Sequence, residues 1–139
     1  MARLSLKPSP AALYLGLTGG LAEAALFLGA SPTLGPYAPF RLPGDLAFGF
    51  PFVAAVLCGL LAPGWGVALA GVLVFGLTAG AGVAAVLLTP ALLGYTPERG
   101  AALNLAAQQA FAAFFVSLLT GGPGLPVGVG LRHLAGQSD

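Results

Sequence analysis

The chain has 139 residues, of which 58% are hydrophobic and 6% charged, and its net charge is +1. An average soluble domain carries about 25% charged residues, and a water-soluble fold of this composition would expose more apolar area than solubility allows. The near-neutral balance, without a basic patch or arginine-rich run, excludes nucleic acid as a partner.

The spacing of the charges points the same way. None occurs from Leu46 to Pro97 or from Gly100 to Leu131, and only Glu23 interrupts the stretch from Pro8 to Phe40. Each gap holds at least one span of ~20 residues. The expected fold is therefore an all-α integral membrane protein: one domain, a compact bundle of four transmembrane helices.

The first span is expected over residues 11–30, after Pro8 and Pro10 and before Ser31-Pro32. Arg3 and Lys7 ahead of an apolar run resemble a secretory signal. The run is longer than an h-region of ~7–15 residues, however, and Leu28 stands where cleavage after Ala30 needs a small side chain. It reads as a retained helix. Residues 33–45 carry Gly35, Pro36, Pro39, Pro43 and Gly44, which makes them a Pro/Gly-rich ordered loop. The second span follows over 46–62, with Pro51 in its first turns, where a missing N–H costs least. The short turn through Pro63, Gly64, Trp65 and Gly66 makes spans two and three an antiparallel hairpin, and Trp65 suits the membrane interface. Span three is expected over 67–89, ending at Pro90. A loop with Tyr95, Pro97, Glu98 and Arg99 leads to span four over 100–120. Pro123, Gly124, Pro126, Gly128 and Gly130 make the tail irregular.

Helices in lipid have no hydrophobic reason to associate, so small residues must let their backbones approach. Gly16 and Gly20 followed by Ala24, Ala55 and Gly59, and Gly76 and Gly80 all follow that spacing, which predicts tight packing. Short loops carry the orientation signal. Arg3, Lys7 and Arg132 lie on the side of the termini, and Arg41 and Arg99 on the other, three against two. The expected location is a bacterial-type inner (plasma) membrane, with both termini cytoplasmic.

Glu23 is the most informative residue. An acid near a helix centre costs ~2.5–3.5 kcal/mol to insert, while each Leu or Phe returns ~0.3–0.6. The six Leu and one Phe of span one nearly cancel that cost, so the helix depends on its neighbours. At ~100° per residue, Gly16, Gly19, Phe27 and Ala30 fall within about 40° of Glu23. A carboxyl on the glycine face points into the bundle. Asn104, Gln108, Phe111 and Phe115 follow i, i+4, i+7, i+11 spacing and share a stripe of span four. Such a stripe suits either a small-molecule pocket or hydrogen bonding between helices. Gln109 lies about 100° away and faces another neighbour. Asp45 and Glu98 sit where an acid favours a helix N-terminus.

Other chemistry is poorly supplied. Cys58 is the sole cysteine and His133 the sole histidine, which leaves no disulfide and no histidine–cysteine metal site. No base accompanies Ser117 or Cys58 to activate a nucleophile. No enzymatic role and no cofactor are expected.

The segment Phe40-Arg41-Leu42-Pro43-Gly44-Asp45-Leu46, followed by Phe50-Pro51-Phe52, resembles a bacterial family of small two-helix membrane proteins of unknown function. In that family the interhelical loop reads Gly-Arg-Leu-Pro-Gly-Asp-Ile before a Phe-Pro step. The resemblance covers roughly residues 11–62 and implies a membrane hairpin without a particular activity. The hairpin Gly59-Leu60-Leu61-Ala62-Pro63-Gly64-Trp65-Gly66, behind a small-residue first helix and a Pro/Gly-rich loop, is similar to the substrate-binding membrane subunits of energy-coupling-factor vitamin transporters. That likeness implies solute binding.

Two functions are expected on these grounds. One is transport-type, with a small solute bound or passed by a site of Glu23, Asn104, Gln108 and Phe111. The alternative is a non-catalytic subunit or assembly factor of a larger membrane complex. The expected partners are the lipid bilayer, a small solute, and a membrane protein or further copies of the chain.

Overall fold

A computed structural model describes residues 10–34, 40–95 and 98–136. Arg3, Lys7, Pro8, Gly35, Pro36, Pro39 and Pro97, all used above, lie outside them. The described residues form five helices and no strand: α1 (Pro10–Ala30), α2 (Gly44–Leu61), α3 (Trp65–Leu92), α4 (Arg99–Gly121) and α5 (Gly124–Ala135). Four helical stretches are long and apolar enough to cross a membrane: α1, α2, α3, and the run of α4 with α5.

Three expectations need correction. α2 begins at Gly44 instead of Leu46, which puts Asp45 in its first turn, where the helix dipole favours an acid. α3 does not stop at Pro90 but runs on to Leu92. The missing N–H there frees a single carbonyl, and the end is closed by Leu93 donating to the Thr89 carbonyl (3.0 Å) and Tyr95 donating to that of Pro90 (2.9 Å). The third correction is larger. The tail expected to be irregular forms α5, and it packs along α2. Pro123 precedes the helix and Pro126 falls in its first turn, where no donor is required. Arg132 and His133 occupy the last turn, on the favourable end of the dipole.

Glycines set the packing. A β-carbon on Gly16 would lie 2.6 Å from the Gly71 carbonyl oxygen, and one on Gly20 2.5 Å from that of Phe75. Gly82 in turn faces Ala24, so α1 and α3 run parallel and touch backbone to backbone. Gly76 meets Phe114, and Gly80 meets the Ala110 carbonyl, which makes α4 antiparallel to α3. Gly59 of α2 faces the Leu125 carbonyl and Gly128 of α5. All three small-residue faces read from the sequence thus meet a neighbour at backbone distance, the approach that lipid-embedded helices need.

The apolar interior has two parts. One, around Ala12, Cys58, Val72 and Leu125, lies where α1 begins and α2 ends. The other, around Ala24, Leu28, Val83 and Ala113, lies towards the end of α1 and the start of α4. The outer surface is apolar too, with many large hydrophobic side chains exposed. Trp65 (53% exposed) and Tyr95 (80%) flank α3 at opposite ends, as interfacial aromatics do.

Candidate functional site

In hydrocarbon every polar group must find a partner within the protein. The serine and threonine hydroxyls of the described helices all do so locally. Thr18, Thr78, Thr89, Ser117 and Thr120 each donate to the carbonyl four residues back, at 2.6–2.8 Å. Glu23 is different. It is 0% exposed, and neither carboxyl oxygen has a hydrogen-bond partner among the described residues.

α1 aims this carboxyl inwards because its outer face is made of larger apolar side chains and its inner face of glycines. Gly19, one turn before Glu23, is close enough to the Phe75 ring that a β-carbon there would lie 3.0 Å from it. Phe75 also packs against Phe50 of α2, with ring centroids 6.0 Å apart. Phe27, one turn after Glu23, lines a cleft of about 250 Å³ with Ala47 and Phe48 of α2 and Val116 of α4. Ser31 and Pro32 stand at its loop end. Glu23 therefore occupies the α1 face between a closed aromatic contact on one side and an open cleft on the other.

The remaining expected site residues do not join it. Asn104 and Gln108 are exposed, Phe111 is 64% exposed and Phe115 43% exposed. They do share one stripe of α4, but that stripe faces outwards. The Gln108 amide donates to the Asn104 side-chain oxygen at 3.4 Å, a long bond between neighbours on one helix. Phe111 and Phe115 pack with their rings tilted at 43° and centroids 4.5 Å apart. The pocket expected from Glu23, Asn104, Gln108 and Phe111 is thus two separate features, a buried acid and an outer amide–aromatic face. Helical spacing identifies which residues share a face. It does not say which way the face turns when both sides are apolar.

No family model matches the chain, and no curated protein or solved structure matches it either.

The cleft at the loop end was not read from the sequence, although Phe27 was placed on the face of Glu23. Ala47 and Val116 give no signal of their own, because small and β-branched apolar residues occur throughout these spans. Cys58 is buried as apolar filler against Gly71, and no group of three or more His, Cys, Asp or Glu that could hold a metal ion occurs among the described residues.

Proposed function

We propose that this is a small transport-type membrane protein in which Glu23 is the group that contacts the transported proton, cation or small solute. The observation that carries the reading is the isolation of its carboxyl: wholly buried, without a hydrogen-bond donor among the described residues, and one turn from Phe27, which lines a cleft reaching Ser31 and Pro32. A buried acid without a partner is costly, and ionisable groups inside a membrane bundle mark ion and substrate pathways. On this reading the cleft is the access route and the glycine-packed end is the seal. The lysine and arginine distribution supports a multi-pass protein of a bacterial-type inner membrane, with both termini cytoplasmic.

The purified chain, reconstituted in vesicles carrying interior proton and sodium indicators, tests this. The expected result is a flux in the wild type that Glu23→Gln abolishes while helical content stays the same, since the amide is nearly isosteric and only the ability to ionise is lost. Absence of flux in the wild type, or equal flux in the variant, removes the reading. The alternative, a non-catalytic subunit or assembly factor of a larger membrane complex, is favoured by a different observation: the outward amide–aromatic face of α4.

A further inference from the structure

The space around Glu23 limits what it can hold. The cleft reaches Phe27, one turn away, but not the carboxyl, which is 0% exposed and so touches no void the size of a water molecule. The seam with α3 is tighter still. β-carbons on Gly16 and Gly20 would lie 2.6 and 2.5 Å from the carbonyl oxygens of Gly71 and Phe75, so neither a bare nor a hydrated ion fits between the two backbones.

A metal cation also needs more oxygen than these helices offer. Calcium and magnesium gather about six to eight oxygen ligands, and an alkali cation exchanges its hydration shell for protein oxygens. Glu23 contributes two. Along its own helix, Tyr14 is exposed. α3 has no ionisable residue, and its Thr78 hydroxyl donates to the Val74 carbonyl. On α2, Asp45 is exposed in the first turn, and Cys58 is buried against Gly71 near the other end. On α4, Arg99, Asn104 and Gln108 are exposed, and the Ser117 hydroxyl donates to the Ala113 carbonyl. A proton needs none of these groups. It bonds to one carboxylate oxygen, leaves a neutral acid, and removes a charge that is costly to bury alone.

We propose, resting on the transport reading above, that the species Glu23 carries is the proton, and that metal cations and organic solutes do not enter its site. The test uses wild-type vesicles under an imposed proton gradient, in thiocyanate salts of sodium, potassium or N-methylglucamine, whose permeant anion balances charge. The interior pH should change at the same rate in all three salts, and Glu23→Gln should lose that change. Infrared difference spectra of wild type minus Glu23→Gln at neutral pH should show a carboxylic-acid carbonyl band. Wild-type flux that requires sodium or potassium, or an absent band, overturns the proton and leaves transport standing. No Glu23-dependent flux of any ion removes the transport reading, and the carried proton with it.

Discussion

At the scale of single residues, Glu23 and Gln108 show how differently two polar side chains of the helices are placed, one buried and one exposed. Glu23 has no exposure and no hydrogen-bond partner among the described residues. Removing a buried polar group whose partners are absent relieves a desolvation cost of about 1–3 kcal/mol. Glu23→Leu, close in volume, should therefore stabilise the protein by about that amount while eliminating flux. A thermal-melting series in detergent checks it, and a lower melting temperature would mean that the carboxyl holds a partner after all. The inward aim of Glu23 was legible from the sequence, because Gly16 and Gly19 lie on the same arc of α1 and a carboxyl is costlier in lipid than against glycine. The outward aim of Asn104 and Gln108 was not. Their polarity suggested the interior, yet an amide in lipid is equally well served by a partner outside the bundle.

At the scale of the helix, glycine position separates contact from tolerance. A β-carbon on Gly20 would lie 2.5 Å from the Phe75 carbonyl oxygen, and one on Gly80 2.9 Å from that of Ala110. Backbone cannot give way as a side-chain tip can, so Gly20→Ala and Gly80→Ala should each cost about 1–3 kcal/mol by overpacking. Gly49 of α2 has nothing among the described residues within 4 Å of the same position. Gly49→Ala should instead stabilise by about 0.5–1 kcal/mol, the ordinary helix preference of alanine over glycine. Denaturation of the three variants checks the sign: a loss at Gly49 as large as at Gly20 would detach stability from backbone contact. The helix missed in the sequence obeys the same rule. Gly124 and Gly128 lie against the carbonyls of Phe52 and Val56, a small-xxx-small pair like those recognised in the other spans. It was hidden because Pro123, Pro126 and Gly130 also satisfy the description of an irregular tail. Proline in the first turn of a helix and proline in a loop look alike until the packing partner is known.

At the scale of the whole molecule, α1 and α3 run parallel and α4 runs opposite to them, with α2 returning through the short turn before Trp65. Loops alternate between the two ends, and the α4–α5 run ends beside the α2–α3 turn, since Gly128 faces Gly59 near the end of α2. The number of helical stretches long and apolar enough to cross was legible because the charge gaps are as long as a bilayer is thick. The pairing of helices was not, since apolar residues line every face and hydropathy does not distinguish lipid from protein. The most direct measurement is a pair of topology reporters, one fused in the turn at Pro63 and one after Ala91. α3 crossing the membrane as one of four spans requires the two reporters to lie on opposite sides, with Pro63 on the side of the C-terminus. Both on one side would contradict the four-span bundle and, with it, the membrane depth assigned to Glu23.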